Sequence, residues 1–294
     1  MAAISLAVAV ILLLAVAALR RDVPPPPENE WPLNVAHRGA SSIAPENTME
    51  AFRLAREAGA GGLETDVHLS RDGRVVVIHD AMLERTTDGS GAVRDKTLAE
   101  LRSLDAGHRF IPSGATGASE YPYRGEDVLV PTLREVLEKF PEMTVNLDIK
   151  EATPGIEKAV LEEIDRAGAR DRVLVASKEG PVISRFRNLS GGEVSTAASR
   201  WEVARFYALS LLRLEGLADP PYEALQVPVE HRGVALATGR FMEAAHHRGV
   251  RVDVWTIDDP GEMRRLLGLG ADSIMTNRPG ELRRVLDAGE SGGG

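Results

Sequence analysis

Two periodicities alternate along the chain from about Trp31 onward. Short apolar runs with strand character recur at Leu33 to His37, Gly62 to Leu69, Val75 to His79, Thr144 to Lys150, Val173 to Ser177, Glu193 to Ala197, Ala224 to Val227, Val252 to Ile257 and Ser273 to Thr276. Between most of them the apolar spacing becomes helical, at Glu46 to Ala58, Leu133 to Phe140, Gly155 to Ala167, Gly239 to His247, Glu262 to Leu269 and Glu281 to Leu286. Strands alternating with helices build a parallel sheet. One pair departs from the rule: only Ser70 to Gly73 separates the second and third runs, which permits a hairpin and no helical crossover. Setting the third run aside as an antiparallel addition leaves eight strands, the number that closes a (β/α)8 barrel. The stretch from about Leu83 to Val130, rich in Gly, Ser and Arg, fits no barrel unit and is predicted to be an insertion after the third strand, over the barrel mouth.

The ends of the chain are patterned differently. Residues Ala2 to Leu19 carry one polar side chain, Ser5, and as a helix would span ~27 Å, close to a hydrocarbon core. A cleavable signal has its basic residues ahead of the apolar run, whereas Arg20 and Arg21 follow it here, so residues 1–21 read as a retained single-pass anchor rather than a signal segment. That asymmetry also predicts a cytoplasmic catalytic domain, with the extracytoplasmic arrangement as the alternative. Pro24 to Pro27 lie in a stiff spacer, residues 22–30, ahead of a barrel domain at 31–287; residues 288–294 are a flexible tail.

The formal net charge of -9 excludes the broad basic surface of a sequence-independent nucleic-acid binder. The absence of cysteine removes disulfides, thiolate metal sites and thiol nucleophiles.

Candidate chemistry lies at the ends of the predicted strands. Residues two apart on a strand face the same way, so Glu64 and Asp66 are forced together. If the hairpin turns on Ser70 to Gly73, His79 falls opposite Glu64, whereas a tighter turn at Asp72-Gly73 puts it opposite Asp66. Two adjacent carboxylates are costly unless one is protonated or a cation lies between them, and oxygen ligands favour Mg²⁺ or Ca²⁺. Asp148 supplies a third ligand from a strand on which Asn146, Asp148 and Lys150 share a face. Lys150 and Arg38 suit phosphate oxygens, or, for Lys150, a salt bridge to Asp148 or Glu64. His37 ends the first strand, beside a glycine that lets the backbone approach a ligand. Two histidines, a metal and two cations suit displacement at phosphorus, one histidine deprotonating the nucleophile and the other protonating the leaving alkoxide. His108, His231, His246 and His247 read as surface residues, and His68 points away from the metal face.

The segments His37-Arg38-Gly39-Ala40, Pro45-Glu46-Asn47-Thr48, Glu64-Thr65-Asp66 and Asp72 to Asp80 resemble the glycerophosphodiester phosphodiesterase family. The likeness continues through Arg85-Thr86-Thr87-Asp88-Gly89, Pro131-Thr132-Leu133, Asp148-Ile149-Lys150, Val254-Trp255-Thr256 and Thr276-Asn277-Arg278-Pro279. It implies a distorted TIM barrel with a small insertion that hydrolyses glycerophosphodiesters to glycerol 3-phosphate and an alcohol, using Mg²⁺ or Ca²⁺. By that resemblance His37 and His79 are acid and base, Glu64, Asp66 and Asp148 bind metal, Arg38 and Lys150 hold phosphate, and Trp255 packs against the glycerol; from its sequence context alone, Trp255 reads equally as a core aromatic. The chain departs from the family at Asp148, where Glu is usual, at Asn277, where Asp is frequent, and at Ser177-Lys178 in place of Ser-Phe. Membrane lysolipids, cleaved as by a lysophospholipase D, are the alternative substrates. A metal-dependent aldolase or isomerase would use the same carboxylates, but has less need of two histidines with Arg38 and Lys150.

Overall fold

The computed structural model describes residues 33–114 and 121–291; the anchor, the spacer and the last residues of the tail expected from sequence lie outside them. In chain order the elements are β1 (Asn34–His37), α1 (Met49–Glu57), β2 (Gly62–Leu69), β3 (Val75–Val77), α2 (Leu98–Arg102), α3 (Leu133–Lys139) and β4 (Thr144–Ile149). There follow α4 (Ile156–Arg166), β5 (Val173–Ala176), α5 (Gly180–Ser190), β6 (Ser195–Thr196), α6 (Arg200–Leu211), β7 (Ala224–Val227) and a small hairpin of β8 (Glu230–His231) and β9 (Val234–Ala235). The chain ends with α7 (Gly239–His246), β10 (Arg251–Val254), α8 (Pro260–Gly268), β11 (Ser273–Thr276) and α9 (Pro279–Ser291). Among the described residues no helix is long and apolar enough to cross a membrane.

Eight parallel strands run in the order β6-β5-β4-β2-β1-β11-β10-β7, with β3 attached antiparallel to β2. The two ends of this row meet through a single parallel bridge, Ala197 to Ala224, supported by Ala198 N–H to Ala224 O at 2.8 Å and Glu223 N–H to Thr196 O at 3.0 Å. The predicted eightfold barrel is therefore nearly closed, with a thin seam at β6, which is two residues long rather than the predicted five. Apolar side chains pack between helices and sheet in two large clusters, one behind β1, β2, β4 and β5 and one behind β7, β10 and β11. A cluster of only Leu174, Ala176, Ala197 and Ala224 fills the seam.

Polar bonds compensate for the small apolar contact there. Arg187 on α5 donates from Nε to Thr196 Oγ1 at 2.8 Å, from one terminal nitrogen to Ala197 O at 2.9 Å and from the other to Glu202 at 2.7 Å. Truncating Arg187 strips a charge-assisted partner from the seam and leaves Glu202 without its counter-ion. Arg187→Ala is expected to cost about 2–3 kcal/mol of stability, read as a lower urea midpoint with an unchanged slope.

Two helices escape the sequence pattern for identifiable reasons. Gly180-Pro181 resembles a chain break, yet proline is well tolerated in a first turn, where its missing N–H costs nothing, and α5 starts there. On α6 the apolar residues surround the helix instead of forming a stripe: Phe206 is buried, while Trp201 is 78% exposed and Leu211 is also exposed. Its start is set by a capping box between Ser199 and Glu202.

The described residues of the insertion after β3 build a small core of their own. Leu83, Val93, Leu101, Ala106 and Val130 pack on the outward side of β3, against Val76 and Ile78. The predicted hairpin is present but its register is neither of the two expected: Leu69 pairs with Val75 and Val67 with Val77. The turn holds five residues because Ser70 closes it twice, its N–H bonding Arg74 O at 2.9 Å and its hydroxyl accepting from Arg74 N at 2.9 Å. Continued, that ladder would set His79 level with Thr65. Instead regular pairing stops at Val77, and after Ile78 N–H reaches Asp66 O at 3.0 Å the chain leaves the sheet.

Candidate active site

The parallel register assembles the site. His37 at the end of β1 is level with Glu64 on β2, and Asp66 is level with Asp148 on β4. The alternation of the strands keeps Glu64 and Asp66 on one face and brings Asp148 and Lys150 to the same side. The Lys150 ammonium stands between two carboxylates, 2.6 Å from Asp66 Oδ1 and 2.5 Å from Asp148 Oδ2. Arg38 Nε lies 3.2 Å from Asp66 Oδ2, and its Nη1 donates to Glu46 Oε1 at 3.0 Å. Asn47 completes the enclosure of Asp66, donating from Nδ2 to Oδ2 at 2.7 Å.

Three carboxylates thus face two cations, and the surplus charge falls on Glu64. Burial, reinforced by the neighbouring Asp66, pushes the Glu64 carboxyl well above the usual carboxylate range. Asp66 is also deeply buried, but the charges of Lys150 and Arg38 outweigh that and hold it below its ordinary value. Asp148 is raised by burial, which Lys150 offsets only in part. Burial works against the Lys150 charge, yet Asp148, Asp66 and Glu64 together keep its ammonium protonated far beyond its ordinary range.

The two histidines have different supports. His37 Nδ1 lies 2.7 Å from Asn277 Oδ1, and burial with the nearby Arg38 charge lowers its pKa. Its Nε2 faces the cluster, 3.9 Å from Glu64 Oε2. His79 Nδ1 lies 2.6 Å from Asp80 Oδ1. Burial opposes ionisation of Asp80, but bonds from Arg85 and His79 hold its pKa down at about 2. Arg85, contributed by the insertion, also grips Glu46 with two nitrogens at 2.8 and 2.6 Å. His79 is brought beside the cluster by its neighbour Ile78, whose N–H bonds Asp66 O at 3.0 Å.

His37, Arg38, Glu64, Asp66, Asp148 and Lys150 are joined by these contacts, and His79 adjoins them. Trp255 sits just past β10, 41% exposed, so the core-aromatic reading is overturned. Gly39 serves a different purpose from the one expected: with φ +83°, it lets the β1 loop approach the backbone of α1, where an added Cβ would come within 2.6 Å of the Ala51 carbonyl carbon. His68 stands outside the cluster and braces it, with Nε2 3.0 Å from His79 O and Nδ1 3.4 Å from Glu151 Oε1. Of the histidines assigned to the surface, His231 and His247 are exposed, whereas His246 is half-buried against Asp272 at 2.8 Å.

Glu46, Asn47, Asp80, Arg85, Asp258 and Asn277 were not assigned roles from sequence. All but Asp258 lie inside the segments that resemble the family, so the signal was present without a geometry to interpret it. Asp258 had no signal.

Residues 37–281 match the model of the glycerophosphoryl diester phosphodiesterase family. The chain belongs to that family. It is 34% identical over 252 residues to a glycerophosphodiester phosphodiesterase of Caldanaerobacter subterraneus, covering 83% of this chain and 93% of the relative. Among solved structures, the glycerophosphoryl diester phosphodiesterase domain of an uncharacterized Mycobacterium tuberculosis protein superposes with a TM-score of 0.75 at 25% identity, covering 88% of this chain and 99% of that one. An Oleispira antarctica phosphodiesterase in complex with the product sn-glycerol-3-phosphate superposes with a TM-score of 0.67 at 26% identity, covering 86% and 96%. The chain is accordingly a phosphoric diester hydrolase, and the aldolase or isomerase alternative finds no support.

Proposed function

We propose that this enzyme hydrolyses glycerophosphodiesters to glycerol 3-phosphate and an alcohol, with His37 as general base and His79 as general acid. The observation that carries the reading is the unlike pair of supports at the two histidine Nδ1 atoms, beside a carboxylate cluster that holds two cations. A lowered pKa and a neutral amide at Nδ1 favour an uncharged His37, able to take a proton from water at Nε2 as the oxygen attacks phosphorus. The Asp80 carboxylate at Nδ1 favours positive charge on the His79 imidazole, which suits a ring that hands a proton to the leaving alkoxide. Lys150 and Arg38, held by carboxylates on one side, lie next to the developing phosphoryl charge.

Among the described residues no group of three His, Asp or Glu side chains stands ready to hold a metal. The donor set nevertheless fits one: Glu64, Asp66 and Asp148 supply only oxygen, carry more charge than Lys150 and Arg38 neutralise, and leave Asp148 Oδ1 shielded with no hydrogen-bond partner. A divalent ion held by these three residues, Mg²⁺ or Ca²⁺, would supply Lewis-acid stabilisation of charge on the phosphoryl oxygens. Purified full-length enzyme should release glycerol 3-phosphate from glycerophosphocholine and lose that activity in EDTA. No release from any glycerophosphodiester, with Mg²⁺, Ca²⁺ or Mn²⁺ supplied, removes the reading; faster release from lysophosphatidylcholine transfers it to lysolipids.

The raised Glu64 carboxyl gives a pH test of the excess charge. In the metal-free folded protein Glu64 keeps its proton above 4.5, where the unfolded chain has lost it. Stability therefore falls as pH climbs from there toward the raised value. Glu64→Gln removes this dependence, so the metal-free variant should melt higher than wild type at about pH 8 and equally near about pH 4. It should also gain less from added metal than wild type does. Melting curves in EDTA and in excess Mg²⁺ measure both, and a variant less stable at every pH contradicts the charge count.

The membrane anchor and the cytoplasmic placement rest on residues 1–30 and remain a proposal from sequence. Fluorescent-protein fusions after Pro27 should glow and alkaline phosphatase fusions should be silent; the reverse pattern puts the barrel outside.

A further inference from the structure

The His37 support extends one residue further than the reaction itself requires. Asp258, four residues beyond β10, is anchored by Thr276 Oγ1 at 2.9 Å and by the Asn277 backbone N–H at 2.8 Å, both donating to Oδ1. Its Oδ2 accepts from Asn277 Nδ2 at 2.7 Å. An ionised carboxylate offers only acceptors, so the Asn277 amide must turn its NH₂ toward Asp258 and its oxygen toward His37. The Ser41 hydroxyl lies 2.8 Å from both Asn277 Oδ1 and His37 O and has one proton for the two, so it accommodates this orientation while Asp258 decides it. Facing an oxygen that can only accept, His37 Nδ1 must carry the proton, which leaves the lone pair on Nε2.

We propose that Asp258 is a positioning residue for the hydrolytic reaction, selecting the His37 tautomer through Asn277 without touching substrate. The inference rests on His37 acting as the base, and it goes beyond that assignment by naming the group that sets its proton. Asp148, Glu64 and Asp66 do not contribute to this chain of bonds, which runs on the far side of the imidazole from the carboxylate cluster.

Asp258→Asn tests it sharply. The substituted amide can still accept from Thr276 and the Asn277 backbone with its oxygen, and its NH₂ then points at the Asn277 side chain. Asn277 must rotate its own amide to accept, which turns a donor on His37 Nδ1. The imidazole answers by moving its proton to Nε2, where no base remains. The expected result is a kcat lower by about 10²-fold or more with KM within about threefold of wild type. The double variant Asp258→Asn with Asn277→Asp moves the carboxylate one position inward, where it accepts directly from His37 Nδ1 and from the new amide at position 258. It is expected to recover kcat to within about tenfold of wild type.

A spectroscopic readout separates this from loss of structure. Full-length protein labelled with ¹⁵N-histidine, with the His37 signals assigned by difference from His37→Gln, should show Nδ1–H in wild type, Nε2–H in Asp258→Asn and Nδ1–H again in the double variant. An Nε2–H ring in wild type overturns the proposal whether or not any variant folds. So does a folded Asp258→Asn with normal kcat, or one that loses activity while His37 keeps Nδ1–H. If the tautomers move as expected but no phosphodiester is hydrolysed by wild type, the relay stands and the assigned reaction fails.

Discussion

Replacing either His37 or His79 with alanine is expected to lower kcat by ~10²–10⁴-fold, the scale lost when a positioned acid or base is removed. Neither ring is part of the apolar core, and both lie partly open at the mouth, so the folded state should survive. Their different supports predict different responses to the substrate. A general acid is needed in proportion to the basicity of the leaving alkoxide, so a diester with a nitrophenolate leaving group should recover most of the activity of His79→Ala. The base acts on water, whose attack is required whatever leaves, so the same substrate should recover little of His37→Ala. Steady-state kinetics on glycerophosphocholine and on the nitrophenyl diester, with melting curves as a fold control, make the comparison. Recovery of His37→Ala instead of His79→Ala would exchange the two roles, and near-normal turnover in a folded single variant would remove that residue from the chemistry.

The legibility of this site in the chain followed the physics of strands. Period-two alternation was enough to pair Glu64 with Asp66 and Asp148 with Lys150, because a strand holds its side chains on one face wherever the sheet lies. The parallel register that joins His37 to Glu64 and Asp66 to Asp148 was not legible, since strand order and a common direction leave the stagger between strands open. His79 was harder. Its hairpin register depends on a Ser70 hydroxyl that enlarges the turn by one residue, and one residue is enough to move every side chain to the other face. Its final position is set beyond the ladder, by the chain leaving the sheet after Ile78. The barrel itself was legible from alternating periodicities, but its closing seam was not, since a two-residue strand and a single bridge leave almost no pattern to read. Loop residues escaped for a related reason. Glu46, Arg85 and Asp258 meet partners 39, 5 and 18 positions away, at places no local periodicity encodes.

Lys150→Ala is expected to have the largest effect on stability, together with a large loss of activity. The ammonium separates Asp66, which has no exposed surface, from Asp148 at 2.6 and 2.5 Å. Removing one partner of such a buried pair typically costs about 3–5 kcal/mol because the remaining charge is left uncompensated. Arg38, 3.2 Å from Asp66, and a proton taken up by Asp148 soften the loss, which places the expectation near the lower end. The deficit should shrink as pH falls, since protonated carboxyls no longer need the cation. Activity should fall by a further ~10²–10³-fold, the scale for a donor lost from a developing oxyanion. The two losses should respond differently to added Mg²⁺ or Ca²⁺. A divalent ion held by Glu64, Asp66 and Asp148 restores the missing positive charge, so it should raise the melting temperature of Lys150→Ala by more than it raises that of wild type. It does not replace a phosphate contact made by the ammonium, so kcat should stay low at saturating metal. Melting curves and rates on the same metal titration decide the matter. Metal that leaves the variant's stability unchanged argues against a cation site at these three carboxylates, and metal that restores full turnover argues that Lys150 serves only as a counter-charge.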